Sequence, residues 1–295
     1  MKTFFDGDEV TFSTMKQKYG GWPMTVWDCD YGDRVMQAVK KKIGDDGGPM
    51  NVTAGVPSPR KGCLDDRPEA RDSIYGGTIT ASVFNPAVAQ MVLNFYAPEG
   101  GMCFDPFGGG GTRGIVAVKS GLRYCGVEIR SEEVDAVRRR AERCGITEGM
   151  VMFCGDAADC SEFMGDSSAD FCFTCPPYWN LEKYGGGQGD LSMCRTYQDF
   201  LGGLGGVVNE TFRILRPGSY SCWVVGLHRD TKGGLLAMHH DVARLHLDCG
   251  FVFKEEVVLN LRGTGALRRV GNFGRGNQYL VRTHEYLLVF RKPEV

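Results

Sequence analysis

Short apolar runs recur from about residue 102 to the end of the chain, each closed by glycine, proline or an acidic residue. Met102–Phe104, Tyr124–Val127, Val151–Phe153, Ala169–Phe173, Tyr220–Val225, Phe251–Leu261 and His284–Phe290 predict strands. Between them, apolar residues return at helical spacing. Val88, Met91, Val92 and Phe95 form one such face, with Asn85 placed to cap the helix and Pro86 at its first turn. Ile115, Val116 and Val118 form a second; Val134 and Val137 form a third, on a basic segment from Ser131 to Cys144. A long face runs from Phe200 to Leu215, where Leu215-Arg216-Pro217-Gly218 is expected to turn the chain. Another spans Met238 to Leu247, stopped by Cys249-Gly250. Strands alternating with helices predict an α/β fold with a mostly parallel sheet covered on both faces. Residues 1–75 are read as an N-terminal extension and 76–295 as the main domain. The extension shows one helical face, at Val35, Met36, Val39 and Ile43, followed by a loop-forming stretch from Gly44 to Gly62.

The chemistry gathers where strands end. After Met102–Phe104 comes Asp105-Pro106-Phe107-Gly108-Gly109-Gly110-Gly111-Thr112, a turn that lets backbone approach a ligand closely. No lysine follows it, so it is not a phosphate loop of the Gly-Lys-Ser/Thr type. The spacing of Gly109, Gly111 and Gly114 matches the dinucleotide pattern, but a carboxylate at Asp105 would repel a pyrophosphate. Glu128 ends the next strand, where an acidic side chain can take both ribose hydroxyls. Asp156 follows the third strand, in a position that also suits a helix cap. The fourth ends in Thr174-Cys175-Pro176-Pro177-Tyr178-Trp179. Two prolines there stiffen the turn, leave carbonyls without neighbouring N–H donors, and present a small polar side chain beside an aromatic ring.

These motifs, in this order, resemble the S-adenosylmethionine-dependent DNA amino-methyltransferases. Asp105 to Thr112 matches their pattern Asp-Pro-Phe-x-Gly-x-Gly-Thr in full, and the diproline-tyrosine turn matches their catalytic motif except at its first residue. There the family has Asp, Asn or Ser, and this chain has Cys175. The resemblance implies a Rossmann-like methyltransferase fold with a mostly parallel seven-stranded sheet. It implies S-adenosyl-L-methionine as cofactor, held by Phe84, Asn85, Pro86, Asp105, Phe107, Gly109, Gly111, Thr112, Glu128 and Asp156. In that scheme Phe84 to Pro86 flank the methionine end, Asp105 meets its ammonium group, Glu128 the ribose and Asp156 the adenine amine. Cys175, Pro176, Pro177 and Tyr178 form the catalytic turn. The pattern Thr-Ser-Pro-Pro-Tyr goes with the cytosine amine, and Cys175 differs from that serine by one atom. Methylation of cytosine N4 is therefore the first expectation. Attack of a Cys175 thiolate on cytosine, with methylation at carbon 5, is the alternative; in carbon-5 enzymes, however, the cysteine follows a proline rather than preceding two. Adenine N6 comes next, RNA or protein amides are further substrates of such turns, and a non-catalytic binding module comes last.

Charge gives no support for a nucleic-acid partner: the net charge of the 295 residues is -2. A local basic stretch does. Arg262, Arg268, Arg269, Arg275 and Arg282, interleaved with Phe273 and Tyr279, suit phosphate contact and base stacking, and Trp179 joins them as an expected nucleic-acid contact. The expected partner is double-stranded DNA with the target base flipped out. No large recognition domain is expected between the motifs or beyond the last strand. Recognition then falls to residues 1–75, to the segment Asn180 to Leu191 and to the basic stretch. The 12 cysteines, with no secretory signal, fit free thiols in the cytoplasm of a bacterial or phage-infected cell. The Cys172–Cys175 spacing lacks a second pair, so no metal is expected. No run is apolar and long enough to span a membrane. The sequence admits a homodimer without requiring one.

Overall fold

The computed structural model describes residues 24–29, 84–179, 183–230, 232–261, 280 and 282–294. Most of the expected N-terminal extension, and Arg262, Arg268, Arg269 and Arg275, lie outside the described residues. The elements, in order, are β1 (Val26–Asp28), α1 (Pro86–Tyr96), β2 (Met102–Asp105), α2 (Thr112–Lys119), β3 (Arg123–Glu128), α3 (Ser131–Arg143) and β4 (Met150–Cys154). There follow β5 (Ala169–Thr174), α4 (Tyr197–Ile214), β6 (Leu215–Val225), β7 (His228–Arg229), β8 (Leu235–Leu236), α5 (Met238–Cys249), β9 (Val252–Asn260) and β10 (His284–Arg291).

The main sheet runs β1-β9-β10-β6-β5-β2-β3-β4. β10 is antiparallel to both its neighbours, and the other pairs are parallel. It has eight strands where seven were expected. The extra strand is β1, which pairs Val26 with Val258 of β9 and stacks Trp27 on Phe95 at 5.3 Å. A three-residue strand is too short to leave a periodic signal. The expected turn at Leu215–Gly218 is also strand: β6 begins at Leu215, opposite Ala169, with a register shift just beyond. α4 ends there because Leu215 adopts extended backbone geometry.

Side chains of the central strands alternate between two cores. Phe171, Phe173, Cys222, Val224, Leu287 and Val289 pack on one face with α1, α2 and α3. Cys172, Trp223, Val225, Leu288 and Phe290 pack on the other with α4 and α5. The period of two thus puts successive residues of each run into separate cores. Cys172 and Cys175 belong to opposite cores for the same reason, although their spacing suggested a pair. No described helix is long and apolar enough to cross a membrane.

Chain order sets the place of the site. From β2 the sheet grows outward through β3 to β4, then the chain returns to place β5 on the other side of β2. Ligands of open α/β sheets bind outside the strand ends where the order reverses. Here that point lies between β2, which ends in Asp105, and β5, which ends in Thr174.

Candidate active site

Asp105 is fully buried, and its carboxylate is surrounded by donors from three elements of the fold and from the turn that follows it. Arg113 of α2 donates from Nε at 2.7 Å and from Nη2 at 3.3 Å. The Tyr124 hydroxyl of β3 donates at 2.8 Å, the Thr174 hydroxyl of β5 at 2.6 Å, and the Phe107 N–H at 3.2 Å. A carboxylate offers about four lone-pair directions, so these donors fill it. Pairing of Asp105 with a ligand ammonium would require one of them to yield. The Thr174 hydrogen bond does something more: it ties the diproline turn directly to the strand that carries the glycine turn.

Above Asp105 the glycine turn is pinned by its backbone. Gly108 N–H donates to Val127 O at 2.8 Å and Gly111 N–H to Gly108 O at 3.0 Å. Arg140 of α3 donates to Gly110 O at 3.1 Å and to Glu133 at 2.9 Å. Gly109 and Gly111 have φ of 48° and 78°, a region that residues with a Cβ rarely adopt. Their surroundings differ. A Cβ on Gly111 would fall 2.5 Å from Val137, so this position is reserved for packing α3 against the turn. A Cβ on Gly109 would meet only the Phe107 carbonyl, at 3.6 Å, so its backbone stays open to a ligand. Thr112 begins α2, whose N-cap Gly111 supplies no side-chain acceptor. Phe107 turns inward, edge-on to Trp223 at 6.1 Å.

The other expected cofactor residues surround this turn. Asn85 caps α1 by accepting from Ala87 N–H at 3.0 Å, with buried Pro86 next to it. Phe84 meets Phe173 edge-to-face at 5.6 Å and lies under the Arg113 guanidinium at 5.0 Å. Glu128 takes the Arg130 N–H and Nε on one oxygen, at 3.0 and 3.2 Å. Burial raises its pKa above the usual range, and Arg130 works against that shift. Its other oxygen has no protein partner among the described residues, which suits hydroxyl donors of a sugar. Asp156 accepts from Ala158 N–H at 2.9 Å. The segment after the diproline turn, expected to help recognise the target, lies in its described part beside Ile129, Arg130 and Asp156. A Cβ on Gly186 would fall 2.5 Å from Ile129 and one on Gly189 2.5 Å from Asp156, and the Tyr184 ring lies 5.4 Å from the Arg130 guanidinium.

At the diproline turn, Cys175 and Tyr178 are half-buried, with Sγ 3.7 Å from the tyrosine hydroxyl. The Tyr178 ring packs on Gly226, where a Cβ would come within 2.9 Å of Cζ. Glu285 of β10 interacts with the same hydroxyl, one residue along from the Tyr286–Val225 pair. Burial pushes the Cys175 thiol up to about 12; nearby Arg113 opposes the shift and Glu285 adds to it. The Cys175 and Pro176 carbonyls accept no backbone hydrogen bond among the described residues. Trp179 is anchored, its indole N–H donating to Cys194 O at 3.0 Å and its ring 5.5 Å from Tyr197.

Residues 13–139 and 169–295 match a family of DNA methylases, the N6/N4 type. The chain belongs to that DNA methylase family. Methylases of this family take their methyl group from S-adenosylmethionine. The open backbone at Gly109, the free oxygen of Glu128 and the uncapped start of α2 fit a nucleoside with a charged amino-acid tail.

Similarity among solved structures extends to the fold. TrmN from Thermus thermophilus is 15% identical with a TM-score of 0.51, covering 72% of this chain and 51% of its own. The chain thus spans about half the length of TrmN. The [4+2]-cyclase SpnF has the same identity and score, with 78% and 86% covered. A geranyl diphosphate methyltransferase, solved in complex with S-adenosylmethionine, is 16% identical at a TM-score of 0.50, with 70% and 85% covered. Because the fold includes a cyclase, it does not by itself specify methyl transfer. No curated protein matches the chain in sequence.

Sequence reasoning missed the residues that hold this methylase's site together. Tyr124 and Arg140 carry no motif signal, Thr174 opens the diproline motif without any sign of its bond to Asp105, and Glu285 sits in a strand that reads only as apolar. Arg113 directly follows the glycine motif, and an arginine beside Asp105 was the one visible hint of an ion pair.

Proposed function

We propose that the chain is a DNA amino-methyltransferase that modifies the exocyclic N4 amine of a cytosine flipped out of duplex DNA. The observation that carries this reading is the 2.6 Å hydrogen bond from Thr174 to Asp105. It places the diproline turn and the glycine turn on adjacent parallel strands at one reversal point, sharing one carboxylate. A base at the first turn and a cofactor at the second are then neighbours, as in-line transfer requires.

S-adenosylmethionine supplies an electrophilic methyl group when bound. The chain's own residues do the rest. The Cys175 and Pro176 carbonyls, free of backbone partners among the described residues, are available to accept the amine's hydrogens. Cys175 Sγ adds a weaker acceptor beside them. Together they aim the nitrogen lone pair away from the turn. Tyr178, braced by Gly226 and by Glu285, offers its ring to the base. With its pKa near 12, the Cys175 thiol keeps its proton at neutral pH, which disfavours attack of sulfur on the ring. That is why carbon-5 methylation ranks behind amine transfer.

The test is mass spectrometry of nucleosides from duplex DNA incubated with the protein and cofactor. N4-methylcytosine is expected, and Cys175→Ser is expected to keep much of the activity. Formation of 5-methylcytosine together with an inactive Cys175→Ser variant would sink this reading. N6-methyladenine as product would move the target to adenine.

A further inference from the structure

We infer that Arg113, not Asp105, is the residue that meets the amino-acid tail of the cofactor, binding its carboxylate. This rests on the cofactor assignment above and departs from the role that family resemblance implies for Asp105. The starting point is that Asp105 has no oxygen left for a ligand. Five protein hydrogen bonds converge on it, from Arg113 Nε and Nη2, Tyr124, Thr174 and the Phe107 N–H. A ligand ammonium would have to displace a buried donor and leave it unpaired, which is unfavourable.

Arg113 is the complementary case. Its side chain is buried and fixed: Nε and Nη2 hold Asp105, Nη2 also donates to Phe107 O, and the guanidinium lies over the Phe84 ring. The remaining nitrogen, Nη1, has no partner among the described residues and is not sealed from solvent. A planar guanidinium locked on two of its three nitrogens, with the third free, is preorganised to hydrogen-bond a carboxylate. The surroundings agree. Arg113 is the second residue of α2, whose N-terminus has no side-chain cap and favours an anion. Phe84, expected at the methionine end of the cofactor, gathers at the same corner with Phe107 and Gly109 of the expected cofactor turn. Asp105 then acts as a positioning residue: it holds the arginine, and through Thr174 it sets the arginine's distance from the catalytic turn.

The test is calorimetric titration of the purified full chain with three probes. These are S-adenosylhomocysteine, its decarboxylated analogue S-adenosyl-3-thiopropylamine, and 5′-methylthioadenosine, which lacks the whole amino-acid tail. The unmodified protein is expected to bind S-adenosylhomocysteine about ten- to a hundredfold more tightly than the decarboxylated analogue, the value of a charge-assisted hydrogen bond. Arg113→Met is expected to erase that difference, weakening S-adenosylhomocysteine while leaving the other two within about twofold. Arg113→Lys should restore part of it. Equal affinity of the unmodified protein for the carboxylated and decarboxylated probes would overturn the role of Arg113 and needs no variant that folds. Equal weakening of all three probes by Arg113→Met would overturn it too, marking a structural residue. Binding of none of the three by the unmodified protein would remove the cofactor assignment and this inference with it.

Discussion

Two strand ends meet at the reversal point of the sheet, and they are built in opposite ways. The end of β2 is closed: Asp105 is fully buried, with an ion pair, two hydroxyl donors and a backbone N–H on it. The end of β5 is open: Cys175 has one weak contact at 3.7 Å, and the carbonyls of Cys175 and Pro176 have no backbone partner among the described residues. The first arrangement needs rigidity. A buried charge must be fully paired, and the pairing in turn fixes α2, β3 and β5 against β2. The second keeps its hydrogen-bonding capacity for something that arrives from outside. One corner is a finished piece of the fold, and in the proposed reading the other is completed by its substrate.

Removing the centre of the closed corner should have the largest effect. Asp105→Ala leaves Arg113 buried without its anion and is expected to cost about 3–5 kcal/mol in denaturant unfolding. Asp105→Asn, which keeps two acceptor directions, is expected to cost less. Gly111→Ala should follow, at about 2 kcal/mol, because a Cβ would strike Val137 in a conformation already strained for alanine. Gly109→Ala sharpens the contrast: with open space around it, it should lower cofactor affinity in calorimetry more than it lowers stability.

Thr174→Val cuts the link between the two corners. The other four hydrogen bonds on Asp105 remain, so the expected loss is about 1.5 kcal/mol, with a larger fall in turnover than in cofactor affinity. The smallest effect belongs to the open corner. Cys175→Ser should leave the melting temperature at pH 7 nearly unchanged. Its signature is pH dependence. The thiol pKa is raised in the folded chain from an ordinary 9.0 to about 12, so its contribution is intact below pH 9 and fades as pH climbs toward 12. At pH 10 the loss amounts to about 1 kcal/mol. Melting curves from pH 8 to 11 should therefore fall less steeply in Cys175→Ser than in the unmodified chain. Cys125 and Cys160, also pushed up to about 12 by burial, would give both proteins a shared decline.

The alternation of apolar runs and helical faces made most of the main domain legible. The predicted helix at Asn85–Phe95 is α1, and the one stopped by Cys249-Gly250 is α5, whose C-cap Gly250 has φ of 104°. β1 and the first residues of β6 were hidden, because a strand of three residues shows no period and the Leu-Arg-Pro-Gly that opens β6 carries turn-like local chemistry. Glycine and proline spacing also revealed where the two turns lie. It did not reveal their pairing, since Thr174 and Asp105 are 69 residues apart and either is common at a strand end.

What the sequence determined alone was most elements of the main domain, the order of the motifs and the family they resemble, because periodicity and turn chemistry are local properties. What only the tertiary structure decided was which groups are spent and which remain free. Asp105 reads as an available carboxylate in one dimension, and in three it is saturated by residues from α2, β3 and β5. A side chain's capacity to bind depends on its neighbours across the sheet, and those neighbours are set by strand order rather than by sequence distance.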